Sequence, residues 1–268
     1  MTDLAILEIG FLSPAGGPAD VEGADDRATG PATATSIPAE VLEKALASVP
    51  GLGSKIRRTP RLVRLALAAL APLAPRPDDH SQALVLATAY GSAAATFEFM
   101  DSLLADGADL ASPTAFAHSV SNMAAALVSL QLGLTGPALT VTNFSLAPAL
   151  EAAAALLAAG GVETVFLGVA EESLPRLAEV EALVERAVSA PVEGAVFFRL
   201  GSAGSHPEAA RLIRAEAPEA GIEETIPGPL ASAWRLARAF RRLKVGAEPG
   251  SRPGFPGEKF RLVRGGHD

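Results

Sequence analysis

The fold is predicted most directly by residues 112–172, which read SPTAFAHSVSNMAAALVSLQLGLTGPALTVTNFSLAPALEAAAALLAAGGVETVFLGVAEE. An aliphatic strand over 138–142 leads into an alanine-rich helix that begins at Ser145 and ends before a pair of glycines. A second buried strand follows over 164–169. Strands that alternate with helices through short glycine-containing turns predict an α/β sheet covered by helices on both faces.

The same alternation extends in both directions from this stretch. The remaining predicted strands are 4–9, 84–88 and 195–200, and the remaining predicted helices are 38–47, 55–73, 91–105, 122–132 and 176–187. Pro113 is expected to open a loop. We therefore expect one domain over residues 1–200.

Two segments depart from this pattern. Residues 13–38 are dense in Gly, Pro and Ala and contain almost no large apolar side chain, so we expect a mobile surface loop there. Residues 201–268 are expected to form a C-terminal extension. An Arg-rich amphipathic helix is predicted at 230–243 of that extension, and a short strand at 260–263.

The composition excludes several classes of function. The formal net charge of −8 argues against a nucleic-acid binder, and the absence of cysteine excludes a disulfide, a thiolate metal site and a thiol nucleophile. No His or carboxylate cluster has metal-ligand spacing and no glycine run has phosphate-loop spacing, so no metal and no cofactor are expected. The apolar run 147–159 is shorter than the ~20 residues of a membrane helix. Residues 1–10 lack the basic start of a signal peptide, so we expect a cytoplasmic protein without membrane insertion.

Six runs, taken in their order along the chain, resemble the β-ketoacyl synthases of the thiolase-like fold. The run ALTVTNFSLAPALEAA resembles the elbow that carries the nucleophilic cysteine of that family, with Ser145 at the cysteine position. The overall pattern is similar to short synthase-like proteins that keep the N-terminal domain and accompany fatty-acid, polyketide or aryl-polyene synthase genes. The other five runs are LEIGFLSPAG at 7–16, RRTPRLVRLALAAL at 57–70, SPTAFAHSVSNMAAALVSLQLGLTGP at 112–137, AAGGVETVFLGVAEE at 158–172 and VEGAVFF at 192–198.

The resemblance implies a thiolase-like half-fold, with a mixed, mostly parallel five-stranded sheet between helical layers. It also implies that the chain does not condense acyl groups by itself, because Ser145 replaces the cysteine and neither His206 nor His267 lies in a family histidine motif. The histidine-bearing half of such an enzyme is expected to be absent. The expected function is that of a chain-length-factor-like subunit. The alternative is a Ser145-dependent acyltransferase or thioesterase assisted by His118.

The individual candidate residues each keep two interpretations. Ser145 is either a nucleophile or a helix cap, since a serine hydroxyl needs a neighbouring base to attack. His118 either pairs with Ser145 or is a loop or interface histidine without a catalytic role. Phe144, Met123 and Asn122 are predicted to lie at an acyl tunnel or a subunit interface, although core packing explains the first two equally well.

The expected partners follow from a basic helical face and an edge strand. Arg57, Arg58, Arg61 and Arg64 form a face that either docks an acidic partner, such as an acyl carrier protein, or is simply solvated. In the family that the chain resembles, the strand at 138–142 pairs with its mate across the subunit interface. An exposed aliphatic edge strand needs a cover. We therefore expect a heterodimer with a full-length synthase, or otherwise a homodimer.

Overall fold

The computed structural model of the protein contains a seven-stranded sheet with helices on both faces. The model describes residues 3–12, 36–47, 49, 52, 56, 59–176, 193–214, 230, 233, 236–237, 240 and 260–263. Its strands are β1 (Leu4–Leu12), β2 (Gln82–Thr88), β3 (Ala138–Thr142), β4 (Thr164–Glu171), β5 (Gly194–Ser202), β6 (Ala210–Arg214) and β7 (Phe260–Val263). Its helices are α1 (Ala39–Ala47), α2 (Arg61–Leu70), α3 (Ala93–Asp106), α4 (Pro113–Ser119), α5 (Met123–Leu132) and α6 (Ala147–Ala159).

The strand order is β3-β2-β4-β5-β1-β6-β7. β2 is parallel to both β3 and β4, whereas every other pair in the sheet is antiparallel. The α/β class is confirmed, but the sheet is mixed rather than mostly parallel, and it has seven strands rather than five. Alternation of strands and helices does not determine strand direction. β6 is not predicted from the sequence, because its five residues, ARLIR, include two arginines and do not form an apolar run.

The two faces of the sheet contribute to two separate hydrophobic clusters. In β2, Leu84 and Leu86 pack with α2 and α5 on one face, while Val85 and Ala87 pack with α6 on the other. Side chains of successive strand residues point to opposite faces, so a strand buried on both sides is apolar throughout. This explains why β2, β4 and β5 are continuous apolar runs. Residues of the 230–240 segment join the α6 side, namely Leu230, Ala233, Leu236, Ala237 and Phe240.

The segment after Ser112 is a helix, α4, and not the loop that was expected at Pro113. Ser112 Oγ accepts a hydrogen bond from the N–H of Ala115 at 3.2 Å, and Pro113 occupies the first helical position. Proline is tolerated there because its missing N–H would have no helical partner. Among the other predictions, the loop at 13–38 lies outside the described residues except for 36–38, and the helix at 176–187 lies outside them except for Arg176.

Gly168 in β4 allows Phe197 of the neighbouring strand to fill the core. The two residues are paired across the strands, and a Cβ at position 168 would lie 2.0 Å from a Phe197 ring atom. Phe197 is fully buried, so its ring has little room to move. We expect Gly168→Ala to lower the free energy of unfolding by about 1–3 kcal/mol, as measured by denaturant titration. Gly204→Ala is the control because its Cβ would meet nothing closer than 3.8 Å. Equal unfolding midpoints for the two variants would contradict the prediction.

Candidate functional site

The elbow between β3 and α6 is a tight turn over residues 143–146, and side-chain and backbone hydrogen bonds hold it. The N–H of Asn143 donates to the carbonyl oxygen of Thr88 at 3.0 Å, which anchors the turn to the end of β2. The side-chain oxygen of Asn143 accepts from the N–H of Ser145 at 2.8 Å. Ser145 Oγ in turn accepts from the N–H of Ala147, the first residue of α6, at 3.2 Å. The polar side chains of the elbow therefore satisfy backbone donors where the chain changes from strand to helix.

Ser145 has no hydrogen-bonded base in the described part of the chain. Its half-buried hydroxyl oxygen accepts a backbone N–H, and no hydrogen bond connects it to His118. His118 lies in the last turn of α4 and is half-buried. The structure thus does not join these two predicted residues as a hydrogen-bonded pair. A serine hydroxyl needs a base to take its proton before it attacks, and the described residues place no such base in hydrogen-bond contact with Ser145.

An aromatic pair lies beside Ser145. The rings of Phe144 and Tyr90 meet edge to face, with centroids 5.4 Å apart and an interplanar angle of 87°. Phe144 remains 50% exposed, so one side of its ring is open. The other two predicted tunnel or interface residues differ from it. Met123, the first residue of α5, is buried in the core. Asn122, which precedes it at the N-cap, is exposed.

The turn that carries Tyr90, residues 88–91, is held by the carboxylate of Glu171 at the end of β4. The N–H of Ala89 donates to Glu171 at 2.5 Å, the hydroxyl of Thr88 donates at 3.1 Å, and the N–H of Tyr90 donates as well. Glu171 is only 3% exposed. Burial raises the pKa of this carboxyl to about 7, and the hydrogen bonds oppose that rise without cancelling it.

A second polar group lies next to Glu171 and consists of Glu172, Glu193 and Arg61. Arg61 Nε and Nη2 donate to the two carboxylate oxygens of Glu193 at 2.6 and 2.7 Å, and Arg61 also donates to the carbonyl oxygen of Ile37 at 2.5 Å. Burial alone would raise the pKa of the fully buried Glu193. The hydrogen bonds from Arg61 and from the N–H groups of Ile37 and Ser173 hold it below its ordinary value instead.

The carboxylate of Glu172 lies at the N-terminus of α2. It accepts the N–H of Leu62, one of the helix donors that have no partner within the helix. Burial raises the pKa of Glu172 to about 7, and the nearby Glu193 contributes to the rise. α2 therefore begins over two buried carboxylates, one of which is neutralised by Arg61.

The sequence contained the residues of this polar group, but not their arrangement. Arg61 lies in the run RRTPRLVRLALAAL and Glu193 in the run VEGAVFF, both of which resemble family motifs. Of the predicted basic face, Arg61 contacts Glu193 and Arg64 contacts Glu43, so both guanidinium groups have acidic partners within the chain. Arg57 and Arg58 lie outside the described residues.

β3 lies at one end of the seven-stranded sheet and pairs only with β2 among the described strands. Its Leu139 side chain is 40% exposed. The chain from α3 to the elbow also holds all of the large apolar side chains that are exposed in the described residues. These are Met100, Leu104, Leu110, Phe116, Val120, Leu130, Leu139 and Phe144. Large apolar side chains that are exposed together in one part of a fold mark an interaction site when they form a contiguous patch.

Neither a metal centre nor a membrane helix is found among the residues that the structure describes. No group of three or more His, Asp or Glu there is arranged to hold a metal ion. No helix in the same residues combines the length and the apolar composition needed to cross a bilayer.

Comparison with solved structures identifies the class of fold. The ishigamide ketosynthase/chain length factor superimposes with a TM-score of 0.63 at 23% identity, covering 92% of this chain and 74% of the other. A chain from the ketosynthase ApeO in complex with its chain length factor ApeC, from Xenorhabdus doucetiae, gives a TM-score of 0.58 at 17% identity and covers 98% of both chains. The AntDE:AntF complex, a type II PKS acyl-carrier protein with its ketosynthase bound to the hexaketide, gives 0.53 at 15% identity, covering 94% of this chain and 72% of the other. The fold is therefore thiolase-like.

The family is shown by the sequence itself. Residues 29–213 match the model of the β-ketoacyl synthase N-terminal domain, which is more than half of the chain. The chain belongs to this family. No curated protein matches the sequence.

Proposed function

We propose that the protein is a non-condensing, chain-length-factor-like subunit that supports a full-length ketosynthase in fatty-acid, polyketide or aryl-polyene biosynthesis. The observation that carries the proposal is the state of Ser145. The residue at the nucleophile position of the family is a serine, and its oxygen accepts a backbone N–H instead of facing a base. A subunit with this elbow keeps the shape of a synthase site without its attacking group.

The exposed apolar surface supports a protein partner. No described strand pairs with the outer edge of β3, and the exposed apolar side chains from Met100 to Phe144 lie on the elements around it in sequence. A second strand added to this edge satisfies its backbone groups and covers Leu139. Two of the similar structures are described as complexes, one of a ketosynthase with its chain length factor and one of a ketosynthase with an acyl-carrier protein. We infer a full-length ketosynthase as the first choice of partner and a second copy of this chain as the alternative.

The aromatic pair at the elbow supports a role in shaping an acyl site. Phe144 packs on Tyr90 beside the buried end of β2, yet half of its side chain is exposed. The exposed part of its ring is therefore an apolar wall at the surface of the elbow. In the proposed complex this wall bounds the growing acyl chain. Replacing Phe144 with alanine is then expected to lengthen the products.

The test is co-expression of the full chain with a ketosynthase from a neighbouring gene, followed by size and native mass analysis. We expect a one-to-one complex. Leu139→Lys should weaken it at least about 30-fold, or about 2 kcal/mol, because the edge strand then carries a charge into a buried contact. Ala47→Lys adds the same charge to the exposed end of α1 and should bind like the wild type.

Other outcomes of this experiment overturn the proposal. A stable homodimer that ignores the ketosynthase contradicts the heterodimer, and equal binding of the two lysine variants contradicts the β3 surface. A covalent acyl group found on Ser145 by mass spectrometry, lost in Ser145→Ala together with an activity, would favour an acyltransferase or thioesterase instead.

A further inference from the structure

Hydrogen bonds to one buried carboxylate hold the 88–91 turn. Gly91 has a φ of +60°, and a Cβ built there would meet no atom within 4 Å. The carboxylate of Glu171 accepts from Ala89, Tyr90 and the hydroxyl of Thr88. The Thr88 hydroxyl oxygen also accepts the N–H of Gly91 at 2.9 Å. One buried carboxylate thus organises four consecutive residues.

This turn also contacts the elbow. The Tyr90 ring packs on Phe144, and the carbonyl oxygen of Thr88 accepts the N–H of Asn143. Both contacts come from residues that Glu171 holds directly. The hydrogen bonds of Glu171 go to the turn and not to Phe144 or Ser145. A change in Glu171 therefore reaches the elbow through the turn.

We propose that Glu171 is a positioning residue of the elbow, which fixes Tyr90 against Phe144 and so sets the boundary that this aromatic pair presents to an acyl chain. The contact of Tyr90 with Phe144 is a property of this chain alone. Its effect on an acyl chain rests on the proposed function.

The chemistry of the carboxylate explains why glutamate occupies this place. A carboxylate presents two oxygens with about four acceptor sites, enough for the three donors of the turn. A glutamine keeps one oxygen for the backbone N–H groups, whereas an alanine leaves all three donors without a partner. Glu172, the adjacent residue, is buried too, but its carboxylate accepts from Leu62 at α2 and not from the turn. Substitution of Glu172 therefore tests the loss of a buried carboxylate alone, whereas substitution of Glu171 also removes the acceptor that positions the turn.

Tyr90 provides a specific readout because it is the only tyrosine in the chain. Incorporation of 3-fluorotyrosine gives a single ¹⁹F resonance, whose shift depends on the ring of Phe144. Phe144→Ala defines the position of this resonance without the aromatic contact. We expect Glu171→Ala to move the resonance toward that position or to broaden it, and Glu171→Gln to remain close to the wild type. Glu172→Ala should lower the stability but leave the resonance in place.

A second variant covers the case in which Glu171→Ala does not fold. Thr88→Val keeps the shape of the side chain while removing both its donation to Glu171 and its acceptance from Gly91. Its resonance should move part of the way toward that of Phe144→Ala. An unchanged resonance in both Thr88→Val and any folded Glu171 variant overturns the positioning role. So does an equal displacement by Glu172→Ala.

The consequence for acyl chains is measured separately, as the product length of the complex with the ketosynthase. Glu171→Ala should change product length in the same direction as Phe144→Ala, and Glu172→Ala should not change it. If Phe144→Ala leaves the products unaltered while Glu171→Ala still displaces the Tyr90 resonance, the proposed function fails and the positioning of Tyr90 stands. If Phe144→Ala alters the products and Glu171→Ala alters neither products nor resonance, the positioning fails alone.

Discussion

Arg61→Met is expected to lower the free energy of unfolding by about 3–5 kcal/mol, since it leaves the carboxylate of Glu193 buried without its cation. Arg61 makes two hydrogen bonds to that carboxylate, and Glu193 has no exposed surface. Methionine keeps much of the length of the arginine stem, so the change removes charge and hydrogen bonds more than volume. The measurement is urea unfolding monitored by far-ultraviolet circular dichroism.

An ion pair of the same helix serves as the control. Arg64 contacts Glu43, whose side chain is 56% exposed. Glu43→Gln is expected to change stability by less than about 1 kcal/mol, because water replaces the partner of an exposed charge. Similar losses for Arg61→Met and Glu43→Gln would show that the buried pair does not hold α2 to the sheet.

The second large effect is a fall in stability as the pH rises to about 7. The pKa values of Glu171 and Glu172 rise from their ordinary value of 4.5 to about 7 because both carboxyls are buried. The folded chain therefore binds more protons than the unfolded chain between pH 4.5 and 7, so this contribution to stability is lost progressively over that range and is gone once the pH has risen above about 7. The difference corresponds to about 3 kcal/mol for each carboxyl at 1.36 kcal/mol per pH unit.

The comparison is between the wild type and the Glu171→Gln/Glu172→Gln variant from pH 5 to pH 8.5. We expect the variant to gain stability relative to the wild type as the pH rises, by several kcal/mol over the range. Glu98→Gln, which removes an exposed carboxyl of α3, is the control for the loss of one surface charge. A constant difference between the double variant and the wild type would show that the two carboxyls do not change protonation on unfolding.

Much of the fold was predictable because burial determines sequence pattern. The strand at 138–142 has the predicted bounds, and the helices at 122–132 and 145–159 begin within two residues of the expected positions. Each was marked by an apolar run with a glycine within two residues of one end, and those local features are independent of the rest of the chain. Strand direction was not predictable in this way, because it depends on which element each strand meets in space.

The candidate site was less predictable because its contacts join distant parts of the chain. Arg61 and Glu193 are 132 residues apart, and Glu171 lies 82 residues after Ala89. The sequence marked Ser145 as a possible cap or nucleophile, but the partner of its hydroxyl depends on the backbone geometry of the elbow. Glu171 and Glu172 were visible as two acidic residues after a strand, without any indication that both are buried.

The position of β1 imposes an order on folding. β1 is the first strand of the chain but lies between β5 and β6, with Leu12 opposite Ala195 and Leu4 opposite Ser202 and Leu212. At a synthesis rate of about 5–20 residues per second, the partners of β1 emerge from the ribosome roughly 10–40 s after β1 itself. During that interval the apolar segment LAILEIGFL has no strand to pair with. This part of the sheet therefore forms late, and the apolar β1 segment is exposed to aggregation until its partner strands have been made.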